Sequence, residues 1–240
     1  MTMKKFFDST SPAIMLGVAI IIATIIGAST FYNVRSLDNT LSVTGSTKIQ
    51  AKADIAKWTI TTSSIVGTGE VAYAYTKVSD NTAKIKAFLI KNGVKDDQIS
   101  ISPVFNDDYW SGNNVRQINV RQTVTVNSKE VERIKTISEN MTALSQQGVS
   151  FSPEAPQYSI SNLPELRISL IGKAVEDAKA RAVEIAKSMD QSVGKLKSAS
   201  SGVVQVLQPN SNDVSDYGQY DASTIDKDVM VTVRATFLLK

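Results

Sequence analysis

The chain has 240 residues, 42% of them hydrophobic and 20% charged, which is enough apolar mass to bury a sizeable core and excludes a wholly disordered polymer. It contains no cysteine and no histidine, so disulfides, thiolate nucleophiles, structural zinc sites, imidazole metal ligands and histidine-based triads are all excluded. Its 26 basic and 23 acidic side chains leave a formal charge of +3 that is spread along the chain, so no nucleic-acid partner is expected.

From Ala13 to Tyr32 there is no charged residue, and the centre of this run is dense in Ile, Leu, Val, Ala and Met. As a helix, twenty residues span roughly 30 Å, the thickness of a bilayer's hydrocarbon layer. Lys4 and Lys5 precede the run and Phe31 and Tyr32 close it. A positive flank stays cytoplasmic, and aromatic rings favour the membrane interface. Residues 1–12 are therefore expected in the cytoplasm, 13–32 as a single-pass transmembrane anchor and 33–40 as a short polar linker. Residues 41–240 then form an exported domain, periplasmic or extracellular. Small residues at Gly27-Ala28-Ser29 keep a cleaved signal peptide open as the alternative.

Two β-rich runs open the folded part. Leu41, Val43 and Ile49 alternate with polar residues around Gly45, and Ile55–Val66 puts Trp58 and Ile60 on one face and Thr59 and Thr61 on the other. After Gly67-Thr68-Gly69, with Thr68 as the predicted cap, Val71, Tyr75, Val78, Ile85 and Phe88 recur at helical spacing, broken only at Asn81-Thr82 and ending at Asn92-Gly93. Ile99–Phe105 reads as a strand, Asp107 to Gly112 as a polar loop, and Val115–Val126 as a strand with one apolar and one polar face. A second helix is predicted from Ser128 to Gly148, and Tyr158 and Ile160 mark a short strand.

Asn162 and Glu165 resemble a capping box for a third helix, in which Ile171, Val175, Ala178, Ala182, Ile185 and Met189 are the predicted apolar face. A strand at Val193–Ser200, a polar insert at Pro209–Asp228 and a terminal strand with Val229, Val231, Val233, Ala235, Phe237 and Leu239 on one face complete the chain. The expected fold class is α+β: a mainly antiparallel sheet with about three amphipathic helices on one face, behind an N-terminal transmembrane helix.

Several strings, taken in order, resemble the SIMPL-domain family. They are Leu41-Ser-Val-Thr-Gly45, Asp54-Ile-Ala56, the helix with Ala174 and Ala178-Lys-Ala180-Arg-Ala182, and the closing Val231-Thr-Val-Arg-Ala-Thr-Phe237. The stretch around Asp107 to Asn114 and the Pro209–Asp228 insert depart from the family pattern. The resemblance implies an exported protein. One bacterial member of the family looks like a ring-shaped, channel-like oligomer, others are linked to oxidative-stress tolerance, and an animal member binds a signalling kinase. It implies no catalytic residues.

The residues that invite chemistry are few. Asp107-Asp108-Tyr109-Trp110 has the composition of a carboxylate pair beside a sugar-stacking ring, but adjacent loop residues seldom hold two carboxyls across one bond. The insert gathers Asp213, Asp216, Asp221, Asp226 and Asp228 with Tyr217 and Tyr220, without EF-hand spacing, and reads as a mobile acidic loop. Asn140-Met141-Thr142 matches a glycosylation acceptor by chance within a predicted helix. No catalytic residue, metal ligand or cofactor is expected. The expected function is that of a non-enzymatic envelope protein acting by self-association or partner binding, with any part in stress tolerance indirect. An exported, carboxylate-dependent glycan hydrolase is the alternative. A homo-oligomer is expected, with Trp58, Tyr109, Trp110, Met230 and Leu238 as candidate interface residues.

Overall fold

The structure is a computed structural model that describes residues 12–36, 39–112, 115–211, 213 and 215–240. The expected cytoplasmic segment lies outside the described residues except for Pro12. Helix α1 (Pro12–Ser36) contains the apolar stretch Ile14–Tyr32, which has a mean hydropathy of 2.3 and is nowhere covered by the rest of the chain. It is long and apolar enough to cross a membrane, as an anchor or as a signal sequence. The helix continues through Gly27–Ser29 and through the first part of the expected linker. Leu37 and Asp38 lie outside the described residues, and β1 (Thr40–Lys52) follows.

The expected α+β class is present, with five α-helices among the described residues and strands that pair antiparallel in two sheets. The chain packs as two units, and β1, α5 (Leu163–Lys187) and β10 (Asp226–Leu239) each run from one into the other.

The larger unit, residues 48–170 and 203–231, is built on β2 (Ile55–Gly67) and β5 (Arg116–Ser128), paired over twelve residues from Ala56↔Ser128 to Gly67↔Gln117. On one edge, β3 (Ile99–Ile101) and β4 (Phe105–Trp110) pair with β5. On the other, β6 (Ser152–Pro153) and β7 (Gln157–Ser159) pair with β2. The expected polar loop at Asp107–Trp110 is thus a strand, because β5 offers a free row of backbone groups that satisfies six residues of otherwise unpaired main chain.

Two elements cover the apolar face, α2 (Val71–Lys91) and the second predicted helix, which breaks at Asn140 into α3 (Val131–Glu139) and α4 (Thr142–Ser145). Trp58, Ile60, Ile85, Leu89, Ile134 and Leu144 are fully buried between them. Each such side chain contributes about 1.5–3 kcal/mol by leaving water. The polar break at Asn81-Thr82 also lies inside. Thr62 Oγ1 donates to the Ser150 carbonyl at 2.8 Å, Asn81 Nδ2 donates to Thr62 Oγ1 at 3.3 Å, and Thr82 Oγ1 donates to Gln122 Oε1 at 2.7 Å. Buried polar groups are tolerated when they are bonded in this way. Thr68 does not cap α2. Glu70 holds the cap position without a side-chain bond, and Gly93 closes the helix at φ +89°.

Among the described residues, the smaller unit comprises α1 with residues 39–47, 171–202 and 232–240. Its strands lie in the order β1–β10–β8, with β8 at Val193–Ser201. Leu239 N–H donates to the Asn39 carbonyl, and Ser201↔Val233 and Ala199↔Ala235 set the β8 register. Here α5 buries only part of the predicted face: Ala178 and Ala182 are inside and Ile171 and Val175 half-buried, but Ile185 and Met189 are not covered. The buried stripe is Ala174, Ala178, Ala182 and Ala186, while Val183, Ile185 and Met189 stay exposed. The reason is Gly45. A Cβ at that position would stand 2.2 Å from the Ala174 carbonyl oxygen and 2.4 Å from Ala178 N. Helix and strand backbones approach so closely that only alanine fits between them.

Candidate functional site

Strand β4 carries the residues that sequence chemistry singled out. Successive side chains of a strand point to opposite faces, so Asp107 and Asp108 cannot address one bond. Each carboxylate has its own guanidinium: Arg121 Nε lies 3.5 Å from Asp107, and Arg116 Nη2 donates to Asp108 Oδ1 at 3.1 Å. Asn106 Nδ2 donates to the Tyr75 hydroxyl at 2.9 Å on the helix side. The strand is an edge, exposed along all six residues, with Tyr109 at 44% and Trp110 at 59% exposure and Phe105 also exposed. This is aromatic surface beside an unpaired strand edge, a combination suited to contact rather than to acid–base chemistry.

The other candidate interface residues divide differently. Trp58 is wholly buried, and its indole Nε1 donates to the Glu154 carbonyl at 2.9 Å, so it is a core residue and not a surface one. Its alternation with Ile60 and Thr62 put it on the helix-covered face, and β-strand geometry makes that choice for all three together. Met230 and Leu238 are half-buried on the face of β10 opposite Val229, Val231, Val233, Ala235 and Phe237. Met230 is in register with Gln205 of β9 (Gln205–Leu207).

The acidic insert is pinned rather than loose over much of its length. Lys227, with no exposed side-chain surface, donates from Nζ to the Asp221 backbone carbonyl and lies 3.3 Å from its carboxylate. Tyr220 stacks its ring 5.7 Å from the same nitrogen, and its hydroxyl accepts Ile160 N–H at 2.9 Å. Asp221 also receives the Ser223 hydroxyl at 2.7 Å, the Ser223 and Thr224 amides at 3.1 and 3.2 Å, and the Thr224 hydroxyl. Burial pushes the Asp221 carboxyl up, but the Thr224 and Ser223 bonds and the Lys227 charge outweigh it and hold the group well below the usual carboxylate range. Burial draws Lys227 down, against the pull of Asp221.

Asp228, bonded by Lys48 at 3.0 Å and by Asn210 N–H at 3.1 Å, is likewise held low despite its burial. These groups are spent on holding the segment in place. Among the described residues no cluster of three or more metal-ligating side chains is gathered. The sequence marked Asp221 only as one of five acidic residues. Its buried partner was missed because a single lysine beside two aspartates reads as surface.

In the smaller unit, Asp177 accepts Ser46 N–H at 2.8 Å and pairs with Arg181 at 2.8 Å, closing one position of the β1 edge. The Ser46 bond, opposed by partial burial and helped by Arg181, lowers its pKa. A groove of about 930 Å³ runs between β1 at Val43 and Thr44 and the exposed side of α5 at Ala180, Val183 and Ile185.

A model of SIMPL, described as a protein of unknown function (DUF541), matches residues 41–237. The chain belongs to the SIMPL family. The SIMPL match begins in β1, ends in β10 and takes in both units, leaving α1 outside it. No curated protein matches the chain.

Proposed function

We propose that this SIMPL protein is a single-pass, membrane-tethered envelope protein. Its folded part is displayed outside the cytoplasm and works by association, with copies of itself or with another protein, and not by catalysis. The observation that carries this reading is α1, an uncovered apolar helix joined almost directly to the folded part. Support for association comes from the exposed aromatic edge of β4, since unpaired strand edges and aromatic surface favour protein contacts. The carboxylates that suggested glycan hydrolysis are divided between two faces and paired with arginines, which favours the non-enzymatic reading. Any part in stress tolerance is then indirect, because methionine, tyrosine and tryptophan do not turn over unaided.

Protease added to intact spheroplasts tests the topology. Digestion of residues 41–240 is expected, and their protection would overturn the proposal. Light scattering of the full chain in detergent tests association: a mass above one chain is expected, and a strict monomer that also captures no partner would remove that half of the reading. Purified protein decomposing peroxide over many turnovers would end the non-enzymatic claim.

A further inference from the structure

The strands of the smaller unit are joined to α1 by a very short tether. Helix α1 ends at Ser36 and β1 begins at Thr40, so at full extension the first strand residue lies within about 14 Å of the helix end. The ends of several elements meet at this point of entry. Leu239 N–H donates to the Asn39 carbonyl, Ser192 and Lys240 exchange backbone bonds at 2.9 Å each, and Gln191 N–H returns to the Ala186 carbonyl in the last turn of α5. The turn from α5 into β8 therefore lies close to Asn39, three residues past the end of α1.

Two apolar side chains at and just past that turn are exposed. Met189 is 49% exposed, and Leu196, four residues into β8, is 46% exposed. Lys187 and Lys195 flank them, also exposed, against the single acid Asp190. Apolar groups among lysines are the composition of a surface that inserts into the headgroup layer while pairing its cations with phosphates. Held this close by the tether, even a weak contact is favoured, because the effective concentration of the surface at its own membrane is high.

We infer that this end of the smaller unit docks on the bilayer from which α1 emerges, with Met189 and Leu196 entering the interface and Lys187 and Lys195 meeting anionic lipid headgroups. This rests on α1 spanning the membrane. It adds that the folded part lies down on the bilayer at a defined end and does not swing freely.

The chain has no cysteine, so single-cysteine labelling is unambiguous. The full chain carrying Met189→Cys, Leu196→Cys or Lys173→Cys is labelled with an environment-sensitive fluorophore. Each is reconstituted in phosphatidylcholine vesicles with and without phosphatidylglycerol. Position 173 is the control, 14 residues and about 21 Å back along α5 from Lys187. Lipid-borne quenchers should quench the probes at 189 and 196 several-fold more strongly than the probe at 173. The excess should grow with phosphatidylglycerol, and it should shrink in a Lys187→Glu, Lys195→Glu background. Equal quenching at all three positions in chain that resists carbonate extraction would overturn the docking and leave the anchor standing. Chain that washes off the vesicles would overturn both. Excess quenching at 189 and 196 that ignores phosphatidylglycerol and the lysine reversals would overturn the headgroup pairing.

Discussion

In the unit built on β2 and β5, Trp58, Ile60, Ile85, Leu89, Ile134 and Leu144 fill the space between sheet and helices. In the unit built on β1, β10 and β8, four alanines of α5 are buried, with Ala174 and Ala178 against Gly45. Both cover one face of an antiparallel sheet with a helix, but at different separations, and the separation sets which substitutions are harmful. A core of large side chains is harmed by removing atoms. A core closed to backbone contact is harmed by adding them. The two also differ in what is left outside. Alanines turned inward leave Val183, Ile185 and Met189 of α5 facing out, while α2 leaves out Tyr73 and Ile90.

The comparison can be broken at several points. Trp58→Ala should cost about 3–5 kcal/mol, by the cavity it leaves and the stranded Glu154 carbonyl, read as a lower urea midpoint. Asp221→Ala should cost a similar amount, about 3–5 kcal/mol, because Lys227 is then buried without its counter-charge. Adding Lys227→Met should recover most of that loss, and no recovery would mean that Asp221 acts through the turn alone. In the smaller unit Gly45→Ala should cost about 1–3 kcal/mol from one added methyl, since the atoms it meets are helix backbone. A harmless Gly45→Ala would show that α5 can lift off the sheet and would remove the contrast.

Acid sharpens the picture from another side. The Asp221 and Asp228 carboxyls lie below the ordinary value of 3.8 in the folded chain. The stability they contribute is therefore fully present above that value and is lost as pH falls through their folded values. Unfolding midpoints should stay level on this account from neutral pH down to about pH 5, then decline. Asp221→Asn should flatten the decline, and an unchanged slope would count against the buried pair as its source. The smallest effect is expected for Tyr109→Ser with Trp110→Ser. Monomer stability should shift by no more than about 0.5 kcal/mol because both rings are exposed, while light scattering should report weaker association if β4 is a contact surface.

Much of the framework was legible in residue order. The apolar run of α1, the alternation through β5 and the buried set Val229 to Phe237 follow from periodicity, a repeat that a single element imposes on its own residues, and the helix end at Asn92-Gly93 follows from the left-handed backbone that glycine allows. Less was legible wherever a partner segment decided. Asp107–Trp110 looks like a loop by composition and is a strand because β5 accepts it. Asn81 and Thr82 look like a break in α2 and are buried because Thr62, Ser150 and Gln122 bond them.

The sequence by itself determined the membrane-length helix, the α+β class, the faces of β2, β5 and β10, and the absence of thiol and imidazole chemistry. All of these are local, since hydropathy, period and residue type act within one element. The tertiary structure decided which face of α5 is inside, that Trp58 is core, that the Asp107 and Asp108 carboxylates part company, and that Lys227 is a buried cation held by Asp221. These depend on how closely two backbones approach and on which distant group supplies a bond. Such distances arise only when segments far apart in the chain are packed together.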